Sequence, residues 1–367
     1  MTKAHLKAPD EIEHAPAPLN PLGTDGFEFI EYTAPDPKAL GDLFQQMGFK
    51  LVARHRSKEV DLYRQGSINF IVNREPRSFA RSFAKKHGPS IAAFSIRVHN
   101  AGAALDHVVS LGATPFQGRV GPMELNIPAI KGIGDSLIYL VDRYSGPTIY
   151  DIDFVPLPDV TQEPEGAGLL EIDHLTHNVY RGHMDEWASF YERLFNFREI
   201  RYFNIEGRLT GLRSRAMTSA CNKIRIPINE SADDKSQIVE YLNAYNGEGI
   251  QHIALSTNDI YATVETLKGW GVPFLDPPPD TYYDAIDQRL PGHGEDLKTL
   301  KHHGILIDGV AGPEGQRLLQ IFTGTVIGPI FFEIIQRKGD DGFGEGNFKA
   351  LFEAMEEDQI QRGVLKA

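Results

Sequence analysis

The feature that most restricts the fold is an internal echo. Ile250–Asp259, a helix over Ala262–Trp270 and Gly271-Val272-Pro273-Phe274 repeat the order of Ile91–Asn100, a helix over Gly102–Leu111 and Gly112-Ala113-Thr114-Pro115-Phe116. In the same way Leu170–Val179 answers to Phe27–Thr33, the helix Asp185–Leu194 to Leu40–Met47, and Ile224–Glu230 to Ser67–Glu75. Strand, helix and three strands follow one another twice in each half, among them Lys50–His55, Val60–Arg64, Ile68–Asn73 and Ile91–Val98. The expectation is an α+β chain of two domains, each a pair of βαβββ modules. Gly146-Pro147-Thr148-Ile149-Tyr150-Asp151 is matched to Gly328-Pro329-Ile330-Phe331-Phe332-Glu333, which makes Ile149–Ile152 a strand. The Pro- and acid-rich stretch Val155–Gly168 reads as a connection. The expected layout is a mobile arm at 1–20, a first domain at 21–155, a linker at 156–168 and a second domain at 169–367.

Three polar residues interrupt apolar strands of the second half. Glu333 lies inside Gly328–Arg337, and an isolated buried carboxylate costs several kcal/mol unless it is paired or ligates a metal. His174 sits within Leu170–Val179 and His252 within Gly249–Leu255. Two imidazoles and one carboxylate from three strands match the facial set used by non-haem Fe(II) oxygenases. The bland alternative is a pair of hydrogen-bonded core histidines and a Glu333–Arg337 ion pair. Against it, the first half carries Glu31, Ala93 and Asp151 at the matched positions, so the first half is expected to be metal-free and silent. Strand parity puts Phe331 beside Glu333, Gln320 beside Phe322, and Ile172 and Thr176 beside His174, while turning His177 and Gln251 away. His302 and His303 read as solvated loop residues, and the basic run Arg74–Lys86 as a solvated helix face.

Composition removes several function classes. A net charge of −13 argues against a nucleic-acid partner, and no apolar run is long enough for a membrane span. The single cysteine, Cys221, leaves no internal disulfide, which suits a cytoplasmic protein, and the charged, Pro-rich start has no signal-peptide core.

Taken together, Ile172-Asp173-His174-Leu175-Thr176-His177-Asn178, Gly249-Ile250-Gln251-His252, Pro278–Tyr283, Leu318–Phe322, Phe332–Arg337 and Gly342-Phe343-Gly344-Glu345-Gly346-Asn347-Phe348 resemble the bacterial 4-hydroxyphenylpyruvate dioxygenases. The likeness covers essentially the whole second half in order, and the first half resembles the family's metal-free domain. It implies the vicinal-oxygen-chelate fold, one Fe(II) per chain on His174, His252 and Glu333, and conversion of 4-hydroxyphenylpyruvate and O2 to homogentisate and CO2. The family's polar catalytic residues carry over to Ser214, Asn229, Gln237 and Gln320, and its substrate contacts to Pro227, Gln251, Phe322, Phe331, Phe343 and Phe348. Asn347–Arg362 would be a C-terminal lid helix, and a homotetramer is favoured over a dimer. The nearest rival is 4-hydroxymandelate synthase, whose relatives tend to carry smaller or different residues at the counterparts of Phe322 and the Ile226–Asn229 strand. Extradiol dioxygenases share triad and fold but not this tail, and a metal-free binding module of the same fold is the rival from another class.

Overall fold

The computed structural model describes residues 19–206, 209–344, 346–347, 359–360 and 362–363. All but the last two residues of the expected N-terminal arm lie outside them. In the first half β1 (Phe27–Thr33), β2 (Lys50–His55), β3 (Val60–Gln65), β4 (Ile68–Asn73), β5 (Ser90–Arg97), β6 (Pro115–Phe116), β7 (Ala129–Lys131), β8 (Leu137–Val141) and β9 (Phe154–Pro156) make one sheet, ordered β6-β7-β8-β5-β1-β4-β3-β2-β9. In the second half β10 (Leu169–Val179), β11 (Arg198–Glu206), β12 (Gly211–Thr218), β13 (Arg225–Ser231), β14 (Gly249–Thr257), β15 (Leu306–Gly309), β16 (Arg317–Phe322) and β17 (Phe331–Lys338) make another, ordered β11-β12-β13-β10-β14-β17-β16-β15. Each sheet is built on two four-strand modules joined back to back, with β9 added at the β2 edge of the first sheet, and the modules' first strands meet antiparallel in the middle, β1 on β5 and β10 on β14.

Local chemistry repeats with the modules. The helices Ala101–Ser110 and Ile260–Gly269 both follow a strand and start on a capping side chain, Asn100 accepting from the Ala103 amide at 2.8 Å and Asp259 from the Ala262 amide at 3.1 Å. These caps occupy the same place in the echo. The basic run forms the helix Phe79–His87, which buries Ala80, Phe83 and Ala84 and leaves Lys85 and Lys86 to solvent. One large apolar cluster runs through both sheets and their helices, and Phe70 meets Phe332 across it with ring centroids 6.0 Å apart. Among the described residues, no helix is long and apolar enough to cross a membrane.

The structure corrects the expected match at Gly146–Asp151. Ile149–Asp153 is a short helix, because Thr148 and Asp151 form a capping box in which each side chain binds the other's backbone amide. An apolar run of this length fits strand and helix equally, and the cap decides. The strand equivalent to β17 is instead β8. Ladder registers then locate the true counterparts of the three polar residues. Glu31 pairs with Ala93 as Thr176 pairs with His252, so Glu31 answers to Thr176, and Phe29, two residues earlier, answers to His174. Ala93 pairs with Leu137 as His252 pairs with Phe331, so Tyr139 answers to Glu333. The first half thus holds Phe29, Ala93 and Tyr139, with no ligand among them. The Phe29 and Tyr139 rings lie 5.6 Å apart and pack with Val52, Leu62 and Tyr150 in a separate apolar cluster. Phe29→Ala is expected to cost about 3 kcal/mol by urea unfolding while leaving the metal content of the purified protein unchanged; loss of metal would show that the first half takes part in binding.

Candidate metal centre

Irregularities in the central strand pair build this site. Between Ile172 and His174 the β10–β14 register slips by one residue, and the extra residue is Asp173; between Thr176 and His177 it slips again, and the extra residue is Gln251. A β-bulge of this kind turns a residue that parity would send to the opposite face. Asp173 Oδ1 accepts from His174 Nδ1 at 2.8 Å, and Gln251 Oε1 accepts from His252 Nδ1 at 3.0 Å. The expectation that Gln251 faces away is therefore overturned, and the bulge is the reason. With both Nδ1 atoms engaged, the two Nε2 atoms point at one carboxylate oxygen, Glu333 Oε2, at 3.1 Å from His174 and 3.4 Å from His252. Potential ligand atoms of the three residues all lie within 4.8 Å of one another, and all three residues are buried. Nδ1 contacts of this kind fix ring orientation and tautomer in metal-binding histidines.

The electrostatics favour an ionised carboxylate. Burial alone would raise the Glu333 carboxyl, but the two imidazoles outweigh it and hold it at about 2. Burial opposes the charge on Asp173 as well, and the Arg337 guanidinium outweighs it, holding that carboxyl well below its usual range. Arg337 grips Asp173 through two bonds of 2.6 and 2.8 Å, so the guanidinium that the bland alternative paired with Glu333 is engaged by Asp173 instead. Burial depresses the His252 imidazole, whereas Glu333 and Asp173 raise His174 against the same penalty.

The expected pocket residues fall into three groups. Gln320 Nε2 donates to Glu333 Oε1 at 2.8 Å and to the Phe343 carbonyl at 3.2 Å, and its Oε1 accepts from Asn347 Nδ2 at 3.0 Å. Gln320, Phe322, Phe343 and Asn347 close a cavity of about 10 Å³ over the three polar residues, room for about one water. Phe343 lies edge-on to His174 at 5.4 Å. A second group stands behind the first. Phe331 stacks on the His252 ring at 4.8 Å and 22° rather than lining the cavity, and Gln237 Oε1 accepts from Gln251 Nε2 at 2.7 Å. The third group is Ser214, Asn229 and Pro227 on the β12–β13 ladder. Ser214 pairs with Asn229, and Ser214 Oγ and Asn229 Oδ1 are buried with no hydrogen-bond partner among the described residues. Phe348 and residues 349–358 of the expected lid lie outside the described residues; beyond them Arg362 pairs with Glu240 at 2.5 Å on the helix Gln237–Tyr245. His177 is buried away from the cavity beside Phe94, and His302 and His303 end the helix Leu297–His303 rather than sitting in a loop. Sequence reasoning missed Asp173, Asn347 and Tyr282, whose hydroxyl donates to Asn347 Oδ1 at 2.8 Å. Their only signal was membership of the recognised segments.

Comparison with known proteins settles the family. A model described as "Hydroxyphenylpyruvate dioxygenase, HPPD, N-terminal" matches residues 19–155, and one described as "Glyoxalase/Bleomycin resistance protein/Dioxygenase superfamily" matches 171–316. A 4-hydroxyphenylpyruvate dioxygenase from Pseudomonas aeruginosa is 60% identical over 94% of this chain and 97% of its own length. The chain belongs to the 4-hydroxyphenylpyruvate dioxygenase family. A protein named Hemolysin VllY from Vibrio vulnificus is 62% identical over 95% of this chain and 98% of its own. Among solved structures, a triple mutant of 4-hydroxymandelate synthase from Streptomyces coelicolor is similar with a TM-score of 0.80 at 26% identity, covering 92% of this chain and 100% of that one. The fold is accordingly that of the vicinal-oxygen-chelate superfamily, α+β with two sheet domains.

Removing one imidazole should abolish tight metal binding. The wild-type protein is expected to hold a divalent metal that His252→Ala loses, read by elemental analysis of both; equal contents would sink the assignment of this site.

Proposed function

We propose that His174, His252 and Glu333 hold one Fe(II) per chain and that the protein converts 4-hydroxyphenylpyruvate and O2 to homogentisate and CO2 by oxidative decarboxylation, ring hydroxylation and side-chain migration. The observation that carries this reading is the buried His-His-Glu set with both Nδ1 atoms engaged and both Nε2 atoms aimed at the carboxylate. Two imidazoles and a carboxylate suit a divalent iron, which when bound supplies activation of O2 and of the 2-oxo acid. The protein's own residues bind, orient and exclude water. Gln320 holds Glu333 and, with Asn347, presents amide groups at the cavity. Ser214 Oγ and Asn229 Oδ1, buried and without a partner among the described residues, are suited to the polar end of a substrate, and a phenolic O–H would donate to the amide oxygen. Phe322 and Phe343 give the aromatic ring two apolar walls.

A cavity of about 10 Å³ does not admit this substrate, so the segment carrying Phe343 and Asn347 must move for entry and return to shut out water. This agrees with a lid role for the C-terminal segment. Deleting residues 347–367 is expected to abolish product formation while iron still binds; full activity in the truncated chain would reduce the segment to packing. A homotetramer in a reducing, cytoplasmic compartment completes the proposal, consistent with a single cysteine.

The similarity to 4-hydroxymandelate synthase makes the second reading concrete, because the same ligands and substrate serve hydroxylation at the benzylic carbon. The two outcomes differ in which carbon lies nearest the reactive centre, and a displacement of about 1 Å can cost on the order of a hundredfold in rate. Phe322 stands 6.4 Å from the His252 ring and 6.2 Å from Phe331, a bulky wall that favours ring attack. Iron-loaded protein given 4-hydroxyphenylpyruvate and O2 is expected to yield homogentisate by chromatography and mass, and Phe322→Ile to shift the partition toward 4-hydroxymandelate. 4-Hydroxymandelate as the main wild-type product would overturn the reading but not the metal site, and a protein that binds no iron would be a binding module.

A further inference from the structure

Residues 340–344, together with Asn347, form a partition between two spaces. On its outer side Asp340, Asp341, Gly342 and Gly344 wall an open cleft of about 550 Å³ that they share with Arg198 and Arg225. On its inner side Phe343 and Asn347 close the cavity over His174, His252 and Glu333. The backbone runs close against the site: Gly344 has φ 74°, and a Cβ there would fall 2.1 Å from Gln320 Oε1, so a side chain would force either the Gln320 amide or the segment to shift.

One guanidinium ties this partition to the ligand set. Arg337 lies four residues after Glu333 on β17, hence on the same face. Its Nε and Nη2 take both oxygens of Asp173, and its Nη1 donates to the Asp340 carbonyl at 3.0 Å and the Gly342 carbonyl at 2.5 Å. Asp173 holds His174 Nδ1, and Phe343, next to Gly342, rests its ring on His174. The contacts therefore close a circuit: His174, Asp173, Arg337, Gly342, Phe343 and back to His174. Neither end can shift without disturbing the fork between them. Arg225 makes a parallel but looser link, 3.7 Å from Asp173 and 3.3 Å from Asp341, whose side chain is 92% exposed, and such a pair contributes little.

We propose that Arg337 is a positioning residue that couples the orientation of His174 to closure of the 340–344 stretch of the partition, so that a metal-loaded site favours the closed partition and an open partition loosens the His174 ring. The proposal rests on the metal reading of the site. Its basis is geometric: a planar fork grips the carboxylate with two nitrogens while a third serves two carbonyls, and an ammonium, with its three donors on one nitrogen, cannot span the carboxylate and both carbonyls in that way. Coupling is reciprocal, so the metal's effect on the partition measures the partition's effect on the metal.

Hydrogen–deuterium exchange of the full-length protein, with and without Fe(II) under anaerobic conditions, tests this. In the wild type, Fe(II) is expected to slow exchange of the Gly342–Gly344 amides by about tenfold. Arg337→Lys, which keeps a cation beside Asp173, is expected to bind Fe(II) nearly as well but to lose that metal-dependent slowing, and Arg225→Gln to retain it. Asp173→Asn, which leaves an acceptor for His174 but removes the charge that Arg337 grips, is expected to lose the slowing too and serves if the Lys variant does not fold. Full metal-dependent slowing in a folded Arg337→Lys or Asp173→Asn protein would overturn the coupling and leave the metal site standing. A wild type that binds Fe(II) without any slowing would overturn it likewise, whereas a wild type that binds no Fe(II) would overturn the coupling and the metal reading together.

Discussion

The carboxylate of Glu333, buried in the middle of an apolar strand, sets the terms for the rest of the second domain. Without partners a charge in that position costs several kcal/mol, and the structure supplies an imidazole from each of two neighbouring strands and an amide from a third. These partners come from β10, β14 and β16 and converge on a residue of β17, so four strands must hold their registers together. A slip of one residue in any of them would send its side chain to the other face. The large apolar cluster beneath the sheet, with Ile253, Ile321, Phe332 and Ile334 buried on the opposite faces of these strands, enforces those registers.

Regular strands alone would not suffice. Alternation would send Asp173 and Gln251 into that apolar cluster, leaving both ligand imidazoles free to rotate. Two of the three register slips in the β10–β14 pair place each beside the histidine it orients, and Arg337 and Gln237 hold them in turn. The same irregularities occur in the first half, where the β1–β5 register slips between Phe27 and Ile30 and again between Glu31 and Tyr32. They belong to the duplicated scaffold, so the metal site exploits a distortion already present in both halves. Glu28 in the first half, paired with Arg97 at 2.5 Å, is what the scaffold carries where no ligand needs orienting.

The two halves diverge by what fills the matched position. Phe29 and Tyr139 turn it into a small apolar core, whereas His174 and Glu333 make it a polar site that needs a cover. In the first half that cover is the short helix Ile149–Asp153, which sends Ile149 and Tyr150 into the apolar cluster. In the second it is the Gly-rich segment around Phe343, which packs with Phe203 and Ala216 and lies beside a large cleft. The first cover is made of packed apolar side chains, whereas the second sets glycines at 342, 344 and 346 around the one buried ring of Phe343.

The sequence by itself determined the duplication, the strand–helix–strand frame that the modules share and the three polar residues that meet, because apolar periodicity and a lone carboxylate among β-branched residues are local properties of the chain. It also determined the family, through segments whose residue order is specific. It misassigned Ile149–Ile152, where a capping box outweighs an ambiguous apolar run, and with it the first-half counterparts, where Glu31 and Asp151 gave way to Phe29 and Tyr139. It turned Gln251 the wrong way and left Asp173 and Arg337 without a role. Those were decided only by tertiary structure, since a bulge is set by how two strands pair across a sheet, and a residue's face after a bulge cannot be counted along its own strand.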